Sequence, residues 1–278
     1  MEKASLKFNR FSIGGKISII YILILIIMAL FSTYICTHPY NLPSGSAFES
    51  PNRDHLFGTD DLGMDIFSQI CFGARISLLV GISAALISGI CGGILGVLAG
   101  YYGGLIDRII MRIADIMIVL PDLPMMILLG AFFGPSVKNI IFVLVFFSWT
   151  SPARIVRSKV LSVKNENYIL VAETYGASFP YLLWKHFIPQ ILPLLMVTII
   201  RLTSKAIVAE AGLAFLGLGD PTSKSWGLIL NHAINFKGIY FTDYWKWWIM
   251  TPLVAIISLV FSIAIISRDL EKILNEKL

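Results

Sequence analysis

The chain has 278 residues, of which 56% are hydrophobic and only 14% charged, and its mean hydropathy is +0.79. A soluble domain carries about a quarter of its residues as charge, so this composition excludes a soluble globular protein and requires an integral membrane protein. The net charge of +5 is what asymmetric loops give a membrane protein, and nothing in it points to nucleic acid. Cys36, Cys71 and Cys91 are scattered and form neither a C-x-x-C pair nor a disulfide framework.

A bilayer core takes about 20 apolar residues per helix. Runs of that kind occur at 17–36, 76–100, 109–133, 137–155, 191–216 and 248–267, which predicts six membrane spans. The first follows Lys3, Lys7, Arg10 and Lys16, but it is too long for a signal peptide and no A-x-A-like site follows it, so it reads as a retained span. With the N-terminus in the cytoplasm, fourteen Lys and Arg fall in cytoplasmic segments and six in outer ones, which predicts both termini inside. The aromatic cluster "YFTDYWKWW" then falls at the outer interface. The predicted divisions are a cytoplasmic N-terminus and first span at 1–36, an outer loop at 37–75, and a five-helix core at 76–278 with a cytoplasmic loop at 156–190.

In the outer loop, Asp60, Asp61 and Asp65 beside Gly58 and Gly63 suggest a turn leading into an interfacial helix. His38 and His55 with these carboxylates show no recognisable ligand spacing, so no metal site is expected. The second span repeats small residues at 89/93, 92/96 and 96/100, a pattern that lets helices approach closely in lipid, whether for static packing or for sliding. In the third span Arg112 and Asp115 share a face and are expected either to neutralise each other or to line a pore, and Pro121 and Pro124 to kink the helix. The fifth carries Arg201, Lys205 and Glu210. Intramembrane ionisable groups face a bundle interior or a wet cavity, which makes these three candidates for a translocation path.

Between the fourth and fifth spans lies "YILVAETYGASFPYLLWKHFIPQILP". Residues 165–175 predict a short helix ended by Gly176, and Ser178 with Pro180 opens a second that runs to about Phe187 and stops before Pro189. Ile169, Ala172, Tyr175 and Leu183 supply apolar contacts, and Glu166, Glu173, Lys185 and His186 keep the unit compatible with water. Such a rigid pair, held by spans on both sides, suits the transmission of force to a partner, or else rests on lipid headgroups. The chain contains no G-x-x-x-x-G-K-[ST] loop and no G-x-S-x-G or H-E-x-x-H motif. If transport is driven by ATP, another chain must bind the nucleotide.

The motifs "FGTDDLGMD" (57–65), "GARISLLVG" (73–81), "GYYGG" (100–104), "YGAS" with "KHFIP", and "AEAGLAFLGLGDP" followed by "SWG" together resemble the inner-membrane permeases of binding-protein-dependent ABC importers, in the dipeptide, oligopeptide and nickel group of the DppC and OppC type. The resemblance runs from about His55 to the C-terminus. It implies an all-α membrane protein with the type I importer permease fold, in the cell membrane, with no enzymatic chemistry and no cofactor of its own. ATP and Mg would be bound by two partner ATPase subunits; a second homologous permease and an extracytoplasmic solute-binding protein complete the implied assembly. The cargo would be small peptides, or alternatively nickel or a metal chelate. A secondary transporter or channel and a membrane-bound enzyme are the other classes, the latter without a visible catalytic constellation. The family's coupling motif lays Gly on Gly176 and its terminal Pro on Pro189, which marks Tyr168, Leu170, Ala172, Glu173, Tyr175, Gly176, Ala177, Ser178, His186 and Pro189 as the implied ATPase-coupling set. Leu170 stands where the family often has Glu, and Glu173, three residues on, is not that residue. Met64 replaces a common Arg.

Overall fold

A computed structural model describes residues 11–275; Lys3, Lys7, Arg10 and Lys277, used above for orientation, lie outside them. Among the described residues the architecture is helical, apart from one isolated β-bridge between Thr59 and Asp65. We number the principal helices α1 (Ile13–Leu30), α2 (Ile66–Tyr102), α3 (Gly104–Val119), α4 (Asp122–Phe133), α5 (Val137–Lys164), α6 (Asn167–Thr174), α7 (Phe179–Leu218), α8 (Trp226–Asn235) and α9 (Trp245–Leu274). Five of them, α1, α2, α5, α7 and α9, are long and apolar enough to cross a bilayer, and α3 with α4 makes a sixth span only if the pair is counted together.

That third span is not a kinked helix as expected but two helices meeting at 94°. Leu120 and Pro121 are both extended, because Pro121 cannot continue the hydrogen-bond ladder of α3 and disfavours helical geometry in the residue before it.

The second span starts ten residues earlier than predicted. Asp65 caps α2 by accepting from Ser68 N at 2.7 Å, and the turn of "FGTDDLGMD" feeds directly into it, leaving no separate interfacial helix. Asp60 holds that turn, accepting from Leu62 N and Met64 N at 2.9 Å and from Gln69 Nε2 at 2.7 Å. His55 Nδ1 lies 3.0 Å from Asp65 Oδ1, with both side chains buried. Gly58 and Gly63 have positive φ, and a Cβ on either would meet a backbone oxygen within 2.5 Å. Phe48 stacks on Tyr244, with ring centroids 4.2 Å apart, and Trp247 Nε1 donates to Thr59 O at 3.3 Å. The loop and the start of α9 therefore close this end of the bundle together.

At the centre is α2, and its small residues serve two faces. A Cβ on Gly92 or Gly96 would meet the backbone oxygens of Trp149 or Ala153 in α5 at 2.3 and 2.5 Å, and one on Gly100 would meet Val160 at 2.8 Å. On the other face, Gly81 and Gly89 would strike Ile207 and Ile199 of α7 at 2.4 Å. Close backbone approach supplies the van der Waals contact that hydrophobic burial cannot supply between helices in lipid. A third group packs through fully buried Trp226 of α8, whose Nε1 donates to Ile70 O at 2.9 Å. Gly227 lies against Ala211, so "SWG" folds back onto "AEAGLAFLGLGDP".

Candidate functional site

At the other end of the bundle α6 and the start of α7 form the hairpin marked by the sequence. Val156, Val160 and Val163 of α5, Ile169 of α6, and Leu182, Phe187 and Ile191 of α7 are all buried in one cluster that Tyr101, Ala172, Ala177 and Leu183 help to cover. Between the helices Gly176 has φ +82°. Gly176 N donates to Glu173 O at 2.9 Å and Ala177 N to Ala172 O at 3.0 Å, the two bonds of a Schellman cap, and Ala172 and Ala177 supply its apolar contact. Lys164 Nζ donates to Tyr101 O at 2.6 Å and Gln190 Nε2 to Tyr168 OH at 2.7 Å, while His186 lies between the rings of Tyr168 and Tyr181. The hairpin is thus a rigid part of the bundle.

Three expectations for it are corrected. Tyr175, expected to make apolar contacts, is 87% exposed at the tip, because it is the C-cap residue where the chain turns away from the cluster. Ser178 sits at the N-cap of α7 but makes no side-chain cap bond among the described residues. Most consequentially, the second helix does not stop before Pro189. A wider π-turn at Leu183–Phe187, closed by Ile188 N to Leu183 O, absorbs the proline, and α7 runs on through Pro189 and Pro193 as one helix until Gly217 turns at φ +84° near its end. Leu170 and Tyr168 are exposed beside the tip, Glu173 is half-buried, and Ser178 and Pro189 are exposed.

Along the seam between α5 and α7 three clefts succeed one another. The widest, about 1040 Å³, lies at the α3–α4 bend and is lined by Thr150 and Ser151 of α5, Ser204 and Lys205 of α7, and Asp122. The next two, about 520 and 490 Å³, share Ile155, Lys159 and Leu194 and take in Arg154, Ser158, Ser162, Gln190 and Arg201. The polar residues recur every three or four positions along α5, and Thr198, Arg201, Ser204 and Lys205 do so along α7, so each helix presents one hydrophilic stripe in an otherwise apolar surface.

The three charged residues singled out in the fifth span part company here. Lys205 Nζ reaches Asp122 Oδ2 at 2.5 Å across the widest cleft. Arg201 pairs with Glu271 of α9 and donates through Nε to Ser267 Oγ at 3.3 Å. Each cation has found an acid on another helix, which holds two like charges four residues apart in one helix. Glu210 points elsewhere. It is 2% exposed, accepts from Ser77 Oγ of α2 at 3.1 Å, and Ser77 Oγ in turn accepts from Trp226 N at 3.4 Å, so Glu210 ties α7 to α2 and α8. The expected Arg112–Asp115 pair is absent: Asp115 pairs with Arg154 of α5, and Asp107 makes a two-pronged pair with Arg157. The helix-face rule brings two residues within reach, but Arg154 on packed α5 reaches Asp115 through Nη2 and takes Arg112's place as its partner. Asp122 and the α5 stripe of Ser151, Arg154, Ser158, Lys159 and Ser162 were missed by the sequence reading, although the stripe's spacing was there to be counted.

Residues 92–277 match the family model described as binding-protein-dependent transport system inner membrane component. The chain is 36% identical to the oligopeptide transport system permease protein OppC of Bacillus subtilis (strain 168) over 266 residues, covering 95% of this chain and 86% of that one. It is likewise 36% identical to the dipeptide transport system permease protein DppC of the same organism over 282 residues, covering 98% and 84%. The glutathione transport system permease protein GsiD of Pectobacterium atrosepticum is 36% identical over 219 residues, covering 77% and 72%. The fold resembles a chain of the MetNI methionine ABC transporter in its inward-facing conformations, with a TM-score of 0.58 at 18% identity over 74% of this chain and 97% of that one. The long apolar helices, the central glycine-packed α2 and these matches converge: this chain belongs to the family of inner membrane components of binding-protein-dependent transport systems.

Proposed function

We propose that the chain is one of two permease subunits of an ATP-driven importer of small peptides, half of whose translocation path is the α5/α7 seam. A second homologous permease would close the seam, two ATPase subunits would bind ATP and Mg, and an extracytoplasmic binding protein would deliver cargo to the 37–65 end. Both termini and the 156–190 loop then lie in the cytoplasm, in keeping with the basic residues counted there. The peptide and glutathione names of the relatives favour peptide over nickel as cargo.

The observation that carries the reading is the hairpin tip. Tyr175 is 87% exposed at the turn, with Leu170 and Val171 exposed on α6 before it, and Trp184, in the π-turn of α7, is 71% exposed, on helices anchored by a buried cluster. An aromatic and aliphatic tip of this kind fits an apolar groove on a partner, so docking does not depend on the acidic residue that Leu170 replaces. Tyr168, Ala172, Glu173, Gly176, Ala177, Ser178, His186 and Pro189 shape and hold the tip. Because α7 is one helix from Phe179 through Arg201 and Lys205, displacement of the tip moves the seam directly. No residue of this chain performs covalent chemistry in this mechanism.

The test is purification in mild detergent from the native membrane, with mass spectrometry of the accompanying chains. Tyr175→Asp should release the ATPases while the permease itself keeps its thermal stability. Ala172→Asp places a charge in the cluster and should lower stability as well. Retention of the ATPases by Tyr175→Asp and Trp184→Asp, or a wild-type chain that purifies alone, rejects the docking role.

A further inference from the structure

The widest cleft has a chemistry of its own. Of the residues that line it, Lys205 and Asp122 are the ionisable ones; the rest are apolar apart from Thr150, Ser151 and Ser204. The pair bridges the cleft, with side chains 54% and 36% exposed into it. It differs from Arg157–Asp107, which is two-pronged and less exposed and clamps α3 to α5. Asp122 also follows directly on the 94° break between α3 and α4, so its carboxylate sits at a joint and not within a packed helix.

We propose that Lys205 and Asp122 are an exchangeable ion pair that receives the two charged ends of a zwitterionic cargo, the carboxylate at Lys205 and the ammonium at Asp122. This rests on the peptide-importer reading. A single-pronged, half-exposed pair is held weakly, so exchanging it for two equivalent pairs with cargo is nearly neutral. A cargo lacking one terminal charge separates the pair but supplies only one new partner, which leaves Lys205 or Asp122 unpaired beside a mostly apolar lining. The cleft thereby discriminates by charge at the ends and not by side chain. The ends of an extended tripeptide lie about 10 Å apart, a separation that swinging the flexible lysine stem opens across the cleft.

The experiment uses the complete importer with its binding protein in proteoliposomes, measuring ATP-driven uptake of trialanine, its C-terminal amide and its N-acetyl derivative. Comparing ratios between variants cancels the selectivity of the binding protein. Lys205→Met should erase the preference for trialanine over the amide by at least about tenfold while leaving the preference over the acetyl derivative; Asp122→Asn should do the reverse. A structural pair would lower uptake of all three peptides together, and equal losses or unchanged ratios overturn the proposal. Should Lys205→Met fail to assemble with the ATPases, Asp122→Asn decides alone, since it keeps the shape of the cleft. A wild-type complex without ATP-driven uptake of trialanine overturns the importer reading and this inference with it; normal wild-type uptake with unaltered variant ratios overturns this inference alone.

Discussion

Gly92 of α2 lies so close to Trp149 that a Cβ on the glycine would sit 2.3 Å from the Trp149 carbonyl oxygen. The obstacle is backbone, which cannot rotate away as a side chain can. Gly92→Leu should therefore separate α2 from α5 and destabilise the protein by about 1–3 kcal/mol or more. Gly212→Ala in α7, where a Cβ meets nothing within 4 Å, serves as the contrast and should be neutral or slightly stabilising. Melting temperatures in detergent compare the two; equal behaviour would remove close packing as the reason for the glycine stripe.

Gly176 holds the left-handed position of the hairpin between α6 and α7 at φ +82°, with open space around it. Gly176→Val thus suffers backbone strain without a clash, at a cost of about 1–2 kcal/mol. Its effect should be concentrated at the hairpin: a small drop in melting temperature and a larger loss of transport-coupled ATP hydrolysis in the assembled complex. A melting change with coupling intact would show that the turn serves folding alone.

Arg157 and Asp107 join α5 to α3 by two hydrogen bonds, the Nη2–Oδ2 contact being 2.6 Å. Either single alanine variant should lower stability, and the double variant should lose less than the sum, with a coupling energy of about 0.5–3 kcal/mol. An additive double-mutant cycle would mean that the pair contributes nothing of its own.

Asp220, in the loop after α7, accepts from the Thr222 hydroxyl at 2.6 Å and from Thr222 N at 2.9 Å. The hydroxyl bond, seconded by the amide, holds its carboxyl below the ordinary carboxylate value of 3.8. The folded form therefore favours the ionised group. Its contribution is fully present above the unfolded value and is lost as pH falls below about 4 toward the lower folded value. Asp220→Asn should melt lower than wild type at pH 7, and the difference should shrink only as pH falls below about 4. A constant difference across the range would assign the effect to shape and not to charge.

The sequence by itself determined what depends on near neighbours. The apolar runs, the Gly176 turn, the Asp60–Asp65 turn and the small residues of α2 are patterns of near neighbours, and each recurs in the structure, though the second span begins ten residues before its run and the third run is broken in two. The tertiary structure decided everything that needs a partner distant in sequence. Asp115 chose Arg154 over its own helix neighbour, Lys205 and Arg201 found Asp122 and Glu271, and Glu210 turned from the seam to Ser77. The prolines show the same division. Pro121 broke a helix where the chain could bend sharply, whereas Pro189 and Pro193 did not, because a π-turn and the packing of α7 against α2 kept the helix continuous. Whether a missing N–H ends a helix is settled by what surrounds it, and that is information the local sequence does not hold.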